Sequence, residues 1–83
     1  MRVLYFAWLQ SKIQKDEEEV TPPAAVKSVG QLADWLQTLS PGHAAVFSER
    51  ARLRAAVNQT FASWETPLSP TDEVAFFPPV TGG

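Results

Sequence analysis

"SVGQLADWLQTL", residues 28–39, decides how this chain is assembled. Ser28 stands where a helix would open, and Gln31 follows three positions later, the spacing of a capping box. Val29, Leu32, Ala33, Leu36 and Leu39 then recur at helical spacing, so the stretch predicts an amphipathic helix with one apolar stripe flanked by Trp35. Ser40, Pro41 and Gly42 end it, because proline cannot continue the hydrogen-bond ladder. One such helix needs a sheet to bury its stripe against, and the sequence on either side supplies one.

Upstream, residues 3–9 are apolar and β-rich on both faces and predict a strand. "QSKIQKDEEEV" after it reads as a solvated loop leading into a short strand at residues 18–21, which Pro22 and Pro23 terminate. Asp16, Glu17, Glu18 and Glu19 are read as a solvated edge rather than a metal site. Downstream, a short helical turn is expected at residues 44–47. Strands follow at 53–57 and 61–63, turning at Asn58 and Gln59. "TPLSPTD" is turn chemistry, and Glu73 to Phe77 forms a last strand, again apolar on both faces.

This order predicts an α+β domain over residues 1–77, a mixed sheet with one main helix packed on one face. The other face then stays open. Phe6, Phe61 and Phe77 are candidates for it, as an apolar patch for a protein partner or as core.

With 83 residues there is one domain, of which roughly 60–65% of the unfolded surface can be buried. A hydrophobic fraction of 45% is ordinary for a globular chain. The net charge of −2 offers no basic field for nucleic acid. "MRVLYFAWLQ" has too short an apolar run for a signal peptide, and no stretch approaches the ~20 apolar residues of a membrane span. The chain has no Cys, which removes disulfides, zinc–thiolate sites and thiol nucleophiles and fits the reducing cytoplasm. His43 is the single histidine and reads as a loop residue. No serine sits in a nucleophile elbow, no glycine pattern forms a phosphate loop, and no metal site is expected. The chain is not expected to be an enzyme on its own.

What remains is the ending, "DEVAFFPPVTGG". Pro78 and Pro79 hold the chain extended as it leaves the last strand. Val80, Thr81, Gly82 and Gly83 then reach about 13 Å at full extension. Gly82 and Gly83 carry no Cβ, so the tip fits a channel too narrow for side chains. At its end is a carboxylate, a poor electrophile until it is activated, for instance as an acyl-adenylate. Residues 78–83 therefore read as a deliverable arm whose reactive group is the Gly83 acyl carbon, with a frayed, functionless terminus as the alternative.

"FFPPVTGG" (76–83), with "AVNQ" (56–59) and "DEVAFFPP" (72–79), resembles the MoaD family, the small sulfur-carrier subunits of molybdopterin synthase within the ThiS–MoaD superfamily. The resemblance extends through residues 55–83 and is compatible with "RVLYFA" and "VGQLADWLQTL". It is weakest at "QSKIQKDEEE", where the family often carries a short helix with Arg-Glu and Gly. It implies a ubiquitin-like β-grasp fold. It further implies that an E1-like adenylyltransferase uses ATP to adenylate Gly83 and that a sulfurtransferase route converts it to a thiocarboxylate. The carrier itself holds no cofactor. Its tail then enters the synthase large subunit, against which Phe6, Phe61 and Phe77 dock, and gives sulfur to cyclic pyranopterin monophosphate within a heterotetramer.

Overall fold

A computed structural model describes residues 1–79 of the chain. A five-stranded sheet has the order β2-β1-β5-β3-β4. Its strands are β1 (Arg2–Tyr5), β2 (Glu17–Glu19), β3 (Arg54–Val57), β4 (Thr60–Ala62) and β5 (Glu73–Phe77). The first and last strands of the chain pair in parallel at the centre, Val3 beside Val74 and Tyr5 beside Phe76, and the remaining pairings are antiparallel. Mixed pairing closed by the C-terminal strand is the β-grasp arrangement.

Three helices lie on one face: α1 (Trp8–Ile13), α2 (Val29–Leu36) and α3 (Pro41–Phe47). The expected helix is α2. Ser28 Oγ accepts from the Gln31 N–H at 3.2 Å, while Gln31 Oε1 reaches back one residue further than a strict capping box, to the Lys27 N–H at 2.7 Å. Val29, Leu32, Ala33 and Leu36 are buried, but Leu39 is 40% exposed. The residue before a proline is pushed to extended geometry, and Ser40 adopts it, so the chain leaves the helix early and carries Leu39 off the stripe.

Ser40 and Pro41 also start a helix. Ser40 Oγ caps α3 by accepting from the His43 N–H at 3.1 Å, with Pro41 in the first turn, so α3 begins three residues before the expected turn at 44–47. The expected loop after the first strand is likewise corrected. Trp8 and Leu9 do not extend β1 but open α1, whose Leu9 and Ile13, four residues apart, are both buried. Gln10, Ser11 and Lys12 form its solvent side, while the acidic run lies beyond its end. Gln14 closes α1 in the left-handed region (φ 66°), its N–H bonded to the Gln10 carbonyl.

The core lies between these helices and the inward residues of the sheet. Tyr5, Val74, Phe76 and Ala55 meet Leu32, Leu36 and Phe47 there. Phe47 and Phe76 meet edge to face at 4.9 Å, the arrangement aromatic quadrupoles favour. Asn58 and Gln59 (φ 49° and 71°) make the two-residue hairpin turn between β3 and β4, as expected.

Candidate functional site

Strand alternation sends every second residue to the face without helices. From β1 and its continuation come Leu4 and Phe6, from β5 Ala75 and Phe77, from β3 Arg54 and Ala56, and from β4 Phe61. Register sets them side by side: Leu4 opposite Ala75, Ala56 opposite both Ala75 and Phe61, and Arg54 opposite Phe77. Leu4, Ala56 and Ala75 floor a depression of about 420 Å³ whose walls include Phe6, Phe61 and Phe77. Phe61 is 80% exposed and Phe6 47%, and the rings of Phe61 and Phe77 are 5.9 Å apart. An isolated exposed phenylalanine needs no explanation, but three around one apolar hollow make a surface suited to a protein partner.

β5 ends beside this hollow. The strand ends at Phe77, and Pro78 and Pro79 follow it outside any regular element, half-buried. Val80, Thr81, Gly82 and Gly83, the expected tip of the arm, lie outside the described residues. The three aromatic candidates thus line one hollow on the face where β5 ends. Leu4, Ala56, Ala75 and Arg54 were not singled out in the sequence. Alternation within β1 and β5 was the available signal for Leu4 and Ala75, whereas Ala56 and Arg54 needed the β3–β5 register.

The helix side holds a polar cluster that contradicts two readings. His43 is not a loop residue: it lies on α3 and is 4% exposed. Its Nε2 is 2.7 Å from Glu18 Oε2 and its Nδ1 2.7 Å from Ser40 Oγ. Nor is Glu18 part of a wholly solvated edge, since it points to the core side of β2 and accepts from the Tyr5 hydroxyl at 2.6 Å and Lys15 Nζ at 3.3 Å. Burial pushes the Glu18 carboxyl up, but the hydrogen bonds from Tyr5, His43 and Lys15 outweigh it and hold the group below its usual range. Burial first, then the bond and charge of Glu18, push the Tyr5 phenol above its range, so it stays a donor. The cluster ties β1, β2 and α3 together, on the opposite side of the sheet from the tail-bearing face.

Elsewhere, a larger groove of about 720 Å³ opens on the Met1 side, lined by Pro22, Pro23, Pro67 and Pro70 with Lys27. None of the Phe6, Phe61 and Phe77 candidates lines it. Among the described residues no cluster of three or more His, Cys, Asp or Glu is placed to hold a metal ion, and no helix is long and apolar enough to cross a membrane.

A family model described as the ThiS family matches residues 3–83. The molybdopterin synthase sulfur carrier subunit of Escherichia coli (strain K12) is 42% identical over 83 residues, covering 100% of this chain and 99% of that protein. The protein of the same description from Mycobacterium tuberculosis is 35% identical over 83 residues, covering 100% and 96%. Among solved structures, SAMP1 from Haloferax volcanii superposes with a TM-score of 0.77 at 25% identity, covering 100% of this chain and 98% of that one. With its β-grasp sheet and a match from the first strand to the final glycine, the chain belongs to the ThiS family.

Proposed function

We propose that this chain is the sulfur-carrier subunit of a molybdopterin synthase, acting in the cytoplasm through the C-terminal carboxyl of Gly83 and contributing no catalytic side chain of its own. The observation that carries the reading is full-length identity of 42% to a protein described as that subunit. The absence of Cys supports it, because a carrier that holds sulfur on its acyl end needs no thiol.

The chemistry follows from the carboxylate. Ionised at neutral pH, it resists nucleophiles. An E1-like adenylyltransferase joins it to the α-phosphate of ATP, and pyrophosphate leaves. A sulfur nucleophile supplied through a sulfurtransferase then attacks the acyl carbon, and AMP leaves. The resulting thiocarboxylate is carried on the Pro78–Pro79 stem into the large subunit, where it gives sulfur to cyclic pyranopterin monophosphate. Two such deliveries build the dithiolene, and two copies of each subunit make the synthase. Phe6, Phe61 and Phe77 form the docking face, and Val80, Thr81 and Gly82 thread the channel. ATP belongs to the activating enzyme, and the carrier holds no cofactor.

Intact mass after incubation with ATP, the activating enzyme and a sulfur donor tests this reading. Exchange of one oxygen for sulfur at Gly83, with recovery of a molybdopterin synthase large subunit in a pull-down, is the expected outcome. Adducts on lysines of other proteins would identify a ubiquitin-like modifier instead. Recovery of a thiazole synthase or a tRNA-thiolating enzyme would move the carrier to another product.

A further inference from the structure

We infer that Arg54 is the charged anchor of the docking face and that the large subunit presents a carboxylate to it beside the entrance for the tail. The inference rests on the carrier reading above. Arg54 stands opposite Phe77, the last residue of β5, and lines a second, smaller cavity of about 290 Å³ that shares Phe61 and Phe77 with the hollow. Other arginines on the described surface already face carboxylates: Arg2 with Glu17, Arg50 with Asp34 and Arg52 with Glu49. Arg52 also lies over the Trp8 ring, 4.9 Å from its centroid. Arg54 makes no ion pair among the described residues. Its side-chain bond there is to the neighbouring Leu53 carbonyl, at 2.8 Å, which leaves most of its donors free.

The carboxylates of this face sit away from Arg54, although Glu73 also lines the hollow. Glu73 begins the strand that Phe77 ends, about 13 Å away at strand rise. Glu17 and Glu19 occupy the far edge strand β2. A chain of net charge −2 therefore turns an uncompensated guanidinium toward whatever receives its tail. Docking an apolar surface over Phe61 and Phe77 strips water from that guanidinium, and a desolvated charge without an acceptor opposes binding strongly. A carboxylate satisfies it with two parallel hydrogen bonds, a geometry that the planar fork of arginine matches and lysine does not. Placed at the root of the tail, this pair orients the carrier so that residues 78–83 meet the channel.

Binding kinetics of the carrier and the isolated large subunit, at low and high salt, test the pairing. Wild-type association is expected to slow as salt rises. Arg54→Glu is expected to lose about tenfold or more in affinity at low salt, with the gap to wild type narrowing at high salt. Arg54→Leu is expected to fall between them with a shallower salt dependence, which provides the reading should the Glu variant fail to match the wild-type unfolding temperature. Wild-type affinity in Arg54→Glu at low salt would overturn the pairing, as would a loss unaffected by salt, which indicates packing rather than charge. A charge effect seen only with the activating enzyme, or only in self-association of the carrier, would overturn the assignment to the large subunit. If the wild-type chain does not bind the large subunit at all, the carrier reading falls, and the pairing with it.

Discussion

Glu18 shows how one side chain can belong to a charged run and still be structural. Glu17, Glu18 and Glu19 are adjacent, yet alternation turns the middle one inward to Tyr5 and His43. Its folded-state value lies below the unfolded one, so its contribution to stability is complete above the ordinary carboxylate range, about 4.3, and is lost as pH falls through the folded value. Asp72 behaves in the same sense, held down by the Ser69 N–H and the Asn58 amide. Denaturant unfolding followed from pH 7 to pH 3 is therefore expected to show Glu18→Gln as less stable than wild type near neutrality, with the difference shrinking in acid. Parallel curves would remove Glu18 from the acid transition. Gly42 acts at the same scale by lacking an atom. A Cβ there would sit 2.2 Å from the Lys12 carbonyl oxygen, so Gly42→Ala is expected to cost about 1–3 kcal/mol from overpacking. That outweighs the gain of up to about 1 kcal/mol in helix propensity, and an unchanged midpoint in thermal unfolding would contradict the contact.

Among the elements, α1 and the β4 edge depart most from ordinary expectations. α1 is only six residues long, too short to persist in isolation. Burial of Leu9 and Ile13 and the close seat of Gly42 against its backbone hold it in place. The two outer strands differ in chemistry. β2 turns Glu17 and Glu19 outward, whereas β4 is Thr-Phe-Ala. Charged side chains discourage edge pairing, so the bare edge beside Phe61 matches a face kept for a partner, while β2 is kept solvated. β5 has both roles, sending Val74 and Phe76 to the core and Ala75 and Phe77 to the hollow. That double duty explains why its sequence is apolar at nearly every position.

For the whole molecule, one sheet separates the packed core from the open apolar face that we propose for docking. Helices and the Tyr5–Glu18–His43 cluster occupy one side; the hollow and the root of the tail occupy the other. Substitutions on the open side should therefore affect binding without affecting folding. Phe77→Glu is expected to weaken large-subunit binding by tenfold or more, because it buries a charge in an apolar contact, while thermal unfolding changes little. Normal affinity in that variant would place the interface elsewhere. Gly82→Leu tests the tail separately. Sulfur transfer to the pyranopterin is expected to be lost with large-subunit affinity largely kept, and full transfer would refute a narrow channel.

Much of this architecture was local in origin and therefore readable. The cap and stripe of α2, the Asn58–Gln59 turn, the bounds of β5 and the Pro-Pro stem depend on residues within a few positions of one another. The "FFPPVTGG" ending carried the family resemblance without any fold. What tertiary structure alone decided required partners distant in sequence. Leu9 and Ile13 became a helix because a core lay beneath them, and His43 was buried because Glu18, 25 residues away, could accept its hydrogen bond. Arg54 came to the root of the tail because β3 pairs with β5. Local sequence sets backbone preference and the period of burial. Which side chains meet is set by strand order and register, and those follow from burying all the apolar stripes at once.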